Sequence, residues 1–372
     1  MKYFSTIKKR LIEQGRSLDK GIMYAAFVLL FCGVFLTLAA SPAVAARNNL
    51  AWMHFIIKHM VFVPVAFGVL MGVALLPLKW VRRVAFLVLI GAMGGMLLAL
   101  LGPEIKGAHR WINVFGFSVQ PSEFVKPAFA VVCGWLLARG RLIKHCWDGW
   151  IAWIICGMVV LLLLMQPDIG MTLTILSIFA VELFLSGISI WLVSFLILGG
   201  VGFGVMAFLT FEHVHNRVIK FLFPEEGTSY QVEKSMETLK NAGWFGKGPG
   251  EGSVKYELPD AHTDFIMAVS AEEFGFIVTA LIVMTFAFIM LRSCWLIRRE
   301  NNFFVQVAVG GLMTQITVQS LVNILSTLNL IPTKGMTLPF ISYGGSSLIS
   351  VAFAFGFILA LTHGHSFSRG LE

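Results

Sequence analysis

Charge is what this chain of 372 residues has little of. Only 13% of its residues are Asp, Glu, Lys or Arg, 57% are hydrophobic, and the mean hydropathy is +0.82. Soluble domains carry about 25% charged residues, so this chain cannot cover itself with a water-solvated surface. The deficit excludes a soluble globular protein and leaves an integral membrane protein. Acid is scarcer than base, and the net charge of +8 alone would suit a nucleic-acid binder. The basic residues, however, fall in short clusters between apolar runs, which is the pattern that sets membrane topology. Cysteine is sparse too: Cys32, Cys133, Cys146, Cys156 and Cys294 lie in or beside apolar runs without CxxC or metal-ligand spacing. That pattern implies no disulfide framework.

What is plentiful is Phe, 33 residues, with 10 Trp and 36 Gly, which suits a lipid-facing exterior, aromatic belts and close helix packing. A bilayer core takes about 20 apolar residues per helix. On that criterion the sequence predicts an all-α polytopic membrane protein with about ten transmembrane helices. They fall near 22–41, 60–78, 84–101, 122–138, 149–165, 169–186, 190–209, 264–291, 303–325 and 346–362. The first run follows Lys8, Lys9, Arg10, Arg16 and Lys20 and reads as a retained signal anchor. Alternation places the basic tail (1–21), a "KWVRR" turn (79–83), a "RGRLIK" turn (139–144) and a "RSCWLIRR" turn (292–299) on one side. Both termini are therefore expected to be cytoplasmic. The long connection 210–263 and the segments 102–120, 166–168 and 326–347 face outward, and they hold most of the unusual polar residues. The whole chain, 1–372, reads as a single membrane domain.

Asp264 stands out first. With Pro259 and Asp260 as a helix start, it is expected about one turn into the eighth span, near the interface where His262 and Thr263 meet water. A carboxylate there also suits a helix N-terminus for purely structural reasons. Burial at a lipid boundary raises proton affinity while the helix dipole lowers it, and that competition poises a general base. Glu272 and Glu273 lie deeper on the same segment, where ionisable groups need a partner; a structural ion pair and a cavity role both fit. Glu123 and Lys126, three apart in "QPSEFVKPAF" (120–129), share one helical face and can neutralise each other, or the Lys at the cavity mouth can attract phosphate.

The stretch "NLIPTKGMTLPFISYGGSSL" (329–348) carries Pro332, Pro339, Gly335, Gly344 and Gly345, which prevent regular helix. Irregular backbone at membrane level is tolerated where it lines protein or a wet cavity, so the stretch reads either as a structural re-entrant loop or as a ligand site. Lys334, Ser342, Tyr343, Ser346 and Ser347 then offer a cation and hydroxyls to a polar ligand. Gln319 and Asn323, four apart on the ninth span, face the interior. Asp168 in "QPDIG" is expected to cap the sixth helix. The loop "GWFGKGPGEG" (243–252) has phosphate-loop glycines but no Walker Lys-Ser/Thr ending and no preceding strand. Its glycines are expected to let the loop fold close over a membrane cavity.

Several stretches together resemble the SEDS family of polytopic cell-wall proteins, which includes FtsW, RodA and SpoVE. They are "HRWINVFGFSVQPSEFVKPAF", "QPDIGMTLTI", "YQVEKS" with "GWFGKGPGEGSVKYELPDAHTDFIMAVSAEEFGF", and "NLIPTKGMTLPFISYGGSSL". "LPDAHTDFIMAVSAEEFG" and "LIPTKGMTLPFISYGGSS" look more like the FtsW branch. The resemblance implies a peptidoglycan glycosyltransferase that polymerises lipid II at the outer face of the cytoplasmic membrane, at the division septum. The family's essential acidic residue falls on Asp264, its Glu and Lys of the fourth helix on Glu123 and Lys126, and its loop arginine on Arg217. It also implies a partner, a class B penicillin-binding protein of the FtsI type, alongside other divisome proteins.

In that chemistry a sugar hydroxyl of lipid II attacks a glycan chain held on a lipid pyrophosphate, with inversion from α to β. A base is needed for the hydroxyl and cations for the departing pyrophosphate. Asp264 fits the first role, and Lys126, Lys334 and Arg217 the second. A divalent cation, Mg or Mn, is compatible with the chemistry, although the sequence has no recognisable site for it. A lipid II flippase and a noncatalytic divisome scaffold are the competing classes.

Overall fold

The computed structural model describes residues 18–362 apart from 103, 105–107, 115, 144–146, 189, 211, 213–214, 217, 220–237, 239–242, 257, 259 and 333–334. Arg217 and Lys334 thus lie outside the described residues. The described chain is a helical bundle. Its helices are α1 (Lys20–Arg47), α2 (His54–Ala74), α3 (Leu78–Leu100), α4 (Pro121–Leu142), α5 (Asp148–Met165), α6 (Ile169–Leu185), α7 (Ile190–Thr210), α8 (Ile266–Arg299), α9 (Phe303–Thr327) and α10 (Gly345–Thr362). Seven of them, α1, α2, α3, α5, α8, α9 and α10, are long and apolar enough to cross a membrane. A short antiparallel hairpin, β1 (Ile112–Val114) and β2 (Phe117–Val119), precedes α4.

The basic clusters read as turns are helical. Lys79 to Arg83 form the start of α3, Arg139 and Arg141 the last turn of α4, and Arg292 to Arg299 the end of α8. Helices continue past the hydrocarbon because arginine stems lie along aromatic rings while their heads reach the interface. Arg82 and Arg139 approach the Trp135 ring at 5.5 and 5.1 Å, and Arg83 approaches Trp80 at 5.1 Å. The link between α2 and α3 is instead Leu75 to Pro77, with the proline at the N-cap position.

Helices α4, α9 and α10 form the centre, with α2, α3 and α6 packed around them. Small residues set how closely they approach: a Cβ on Gly134 of α4 would stand 2.9 Å from the Ala308 Cα of α9, and one on Gly356 of α10 would stand 2.7 Å from Val73 of α2. Without a hydrophobic drive between helices in lipid, such close packing is what holds a bundle together. The outward faces of α3 and α5 expose Leu87, Leu98, Ile154 and Leu161 to the bilayer. At the other end of the bundle Asp19 caps α1, accepting from Ile22 N at 2.9 Å, and pairs with Arg292 of α8 at 2.7 Å. The expected cap by Asp168 is present on α6: its Oδ1 accepts from Met171 N at 3.2 Å.

Helix α8 is broken. Gly275 has φ 81° and ψ 178°, a conformation only glycine adopts readily. The freed carbonyls of Glu272 and Glu273 accept from Lys247 N at 2.8 Å and Gly248 N at 3.0 Å. Beyond the break, Phe276 N and Ile277 N donate to the carbonyls of Gly243 (3.0 Å) and Trp244 (3.3 Å). The loop backbone thus supplies four of the partners that a helix break would leave wanting. A Cβ on Gly246, itself at φ 74°, would come within 2.4 Å of Glu273 O.

Candidate active site

Asp264 is not inside the helix. It lies in the turn before α8, where Thr263 N and Asp264 N both donate to Asp260 O, at 3.0 and 3.1 Å. The ladder starts late because the Asp264 carbonyl is taken by Asn323 of α9, whose Nδ2 donates to it at 3.0 Å and to Met336 O at 2.7 Å. Residues 335–342 close over the other side: Ser342 Oγ accepts from Leu338 N at 2.8 Å and donates to Thr263 O at 2.5 Å, while Tyr343 N donates to His262 O at 2.8 Å. Gly335 has φ 63°, and a Cβ there would stand 3.3 Å from Asp264 Oδ2. The half-buried carboxylate therefore rests on a bare stretch of backbone, held by the turn, α9 and the loop together.

His262 does not meet water. It is 5% exposed, its ring lying 4.8 Å from Phe55 and 4.9 Å from Tyr343, with His59 6.0 Å from Tyr343. Burial pushes the Tyr343 hydroxyl up to about 12, so it stays protonated and serves as a neutral hydrogen-bonding group. Phe55 and His59 come from α2, about 200 residues away in the chain, and no local spacing signals them.

Glu123 and Lys126 do pair, at 2.8 Å, but Lys126 is only 1% exposed. It is enclosed within the bundle, because α4 is buried along its first turns and an ammonium there needs fixed acceptors. The second acceptor is Gln319 Oε1 at 3.0 Å, and Gln319 Nε2 donates onward to Thr337 O at 2.9 Å. Thr337 Oγ1 meets Ser347 Oγ at 2.6 Å, and Ser350 Oγ donates to Glu123 O at 2.7 Å. Ser346 is buried in the first turn of α10. Gln319 and Asn323 are one turn apart on α9, about 6 Å along its axis, so this chain of polar contacts runs to the Asp264 turn. Replacing Gln319 with Ala is expected to cost about 2 kcal/mol, within the roughly 1.5–3 kcal/mol of a bond to a charged group. A thermal unfolding midpoint in detergent unchanged from wild type would detach Gln319 from this role.

Glu272 and Glu273 meet loop lysines rather than each other. Lys247 reaches Glu272 Oε1 at 2.7 Å and Lys255 reaches Glu273 Oε1 at 2.6 Å, while Gly250 N donates to Glu273 Oε2 at 2.8 Å. Lys255 Nζ also donates to Ala39 O of α1 at 3.0 Å. In the glycine loop the amides of Lys247, Gly248 and Gly250 are thus directed at carbonyls and a carboxylate of α8. Among the described residues no group of three His, Cys, Asp or Glu is placed to hold a metal, and Glu123, Glu272 and Glu273 are each neutralised by lysine. They do not build a metal centre.

Three comparisons bear on this arrangement. A protein from Caulobacter vibrioides named "Probable peptidoglycan glycosyltransferase FtsW" is 41% identical over 92% of this chain and 88% of its own length. A protein of the same name from Aliivibrio salmonicida is 32% identical over 93% of this chain and 89% of its own. Among solved structures, a chain of a peptidoglycan synthase complex that coordinates polymerization and crosslinking superposes with TM-score 0.75 at 22% identity, over 94% of this chain and 99% of that one. Thermus thermophilus RodA, a rod shape determining protein, gives 0.69 at 23%, over 94% and 98%; at such identities the likeness is one of fold. The family model described as "Cell cycle protein" for FtsW, RodA and SpoVE matches residues 20–366, and the chain belongs to that family.

Proposed function

We propose that this protein is a peptidoglycan glycosyltransferase that polymerises lipid II into glycan strands for septal wall synthesis. The observation that carries the reading is the Asp264 carboxylate, half-buried against Gly335 and fixed through its backbone to α9 and the 336–343 loop. Relatives named as peptidoglycan glycosyltransferases, matching nearly the whole chain, support it.

In this reading the hydroxyl of an incoming lipid II attacks the anomeric carbon of the growing chain as its bond to the lipid pyrophosphate breaks. The bonding pair leaves with the pyrophosphate, and the hydroxyl proton passes to the Asp264 carboxylate. Arg217 and Lys334 are assigned to the leaving phosphates and Tyr343 to sugar contacts, while buried Ser346 shapes the start of α10. Lys126, being buried, acts as a fixed positive charge that positions Glu123 and Gln319. Glu272 and Glu273 secure the loop.

All ten helices span the inner membrane with both termini cytoplasmic, as one domain over 1–372 with its long loop, 210–263, outside. The Asp19–Arg292 pair, which joins the start of α1 to the end of α8, supports that placement. A class B penicillin-binding protein is the proposed partner at the septum, and likeness to a chain of a peptidoglycan synthase complex is compatible with it.

The broken helix α8 also favours a second reading, since interrupted helices are common in lipid and ion transporters. Detergent separates the two, because it removes sidedness. Purified protein with its cognate transpeptidase is expected to convert labelled lipid II into polymer in detergent. Absence of polymer alongside an active control enzyme would move transport or scaffolding to the front.

A further inference from the structure

The break in α8 falls at a level that bilayer dimensions identify. Trp295 lies between the guanidinium groups of Arg292 and Arg299, at 4.4 and 3.8 Å from its ring, the composition of a membrane–water interface. From Trp295 back to Phe276 the helix rises about 28 Å at 1.5 Å per residue, against about 30 Å for a hydrocarbon core. Gly275 therefore marks the outer boundary of the hydrocarbon. At that level the loop presents Trp244 and Phe245, which are 69% and 81% exposed, between Gly243 at φ 61° and Gly246 at φ 74°.

The tip is not a loosely held turn. Its backbone completes both ends of the broken helix, and the Trp244 ring meets Phe276 edge-on at 5.6 Å. Phe276, Leu281, Met284 and Phe288 continue the exposed apolar face down α8, so the aromatic pair extends the surface that α8 turns to lipid. The two lysines of the loop are already paired, Lys247 with Glu272 and Lys255 with Glu273. That lowers the cost of bringing the tip out of water.

We propose that Trp244 and Phe245 are an interfacial anchor, seated at the boundary between headgroups and acyl chains of the outer leaflet, so that phospholipid fixes the height of the loop and of the α8 break. The inference is independent of the enzymatic reading and rests on the proposed orientation, which puts the glycine loop outside. It assigns the tip to lipid rather than to a second copy of the chain or a protein partner.

The test uses the full chain reconstituted in phosphatidylcholine vesicles, with and without phosphatidylcholine brominated at acyl carbons 6 and 7. The emission of Trp244 is taken as the difference between wild type and Trp244→Phe. It is expected to drop about two-fold in the brominated vesicles, as suits a ring at the interface, and to be insensitive to aqueous iodide. Quenching by iodide without quenching by bromine would place the tip in water, and quenching by neither would place it against protein; either result overturns the anchor. A second variant, Phe245→Trp, adds a reporter at the neighbouring position without removing a side chain that contacts Phe276. Its added emission must show the same bromine quenching.

Discussion

Asp264→Asn and Asp264→Ala are expected to lower lipid II polymerisation by about 10²- to 10⁴-fold, the span contributed by a positioned general base, while the protein stays folded. The expectation of an intact fold rests on which atoms do the holding. Asp264 N donates to Asp260 O, the Asp264 carbonyl accepts from Asn323, and the adjacent Thr263 carbonyl accepts from Ser342. Those are backbone contacts that both variants keep. Asn preserves shape while losing the carboxylate's charge and its ability to take a proton, so it is the more telling of the two. Under the base hypothesis the wild-type rate rises with pH as the carboxylate loses its proton and then levels off, and the residual rate of the Asn variant lacks that rise. Normal polymerisation by Asp264→Asn would end the base hypothesis, whatever the Ala variant does. Unfolding midpoints and co-purification with the transpeptidase, both matched to wild type, are the controls that make a loss of rate meaningful.

The largest effect on stability is expected from Lys255→Met. Lys255 is 3% exposed and Glu273 fully buried, and one ammonium joins α8 through Glu273, the glycine loop through Gly250 O and α1 through Ala39 O. Removing one member of a buried pair leaves the other as an uncompensated charge, at a cost of about 3–5 kcal/mol. Lys247→Met should cost less, because the Lys247 side chain is 36% exposed and water can reach the space it vacates. The double variant Lys255→Met with Glu273→Gln is expected to recover much of the loss, since no charge is then stranded, and a double-mutant cycle measures that coupling. Unfolding in detergent, followed by loss of helical circular dichroism, reads wild type, Lys247→Met, the two single variants of the cycle (Lys255→Met and Glu273→Gln) and the double variant. If Lys255→Met melts with wild type, or the double variant is no better than the single, the staple assigned to this pair is wrong.

Much of this molecule could be read from the order of its residues. Sparse charge and apolar runs of spanning length determine a helical membrane protein, because a backbone in hydrocarbon must satisfy itself. The spacing of Glu123 and Lys126 determines that they can meet, and the prolines and glycines of 332–345 determine an irregular segment. Motif resemblance placed the functional emphasis on Asp264.

The tertiary structure decided the rest, in each case through a contact between segments far apart in sequence. Local spacing predicted Asp264 inside a helix, but Asn323 takes its carbonyl and delays the helix to Ile266. Hydropathy alone ran one unbroken span through Gly275, since a helix break costs nothing visible in composition when a distant loop returns four backbone partners to it. Lys126 was expected at a wet mouth and is instead enclosed, because the acceptor that makes its burial tolerable, Gln319, comes from α9. Basic clusters expected as turns remain helical where Trp80 and Trp135 give their stems an apolar surface. A sequence states which groups need partners in a medium without water; only the packed bundle determines which distant groups answer that need.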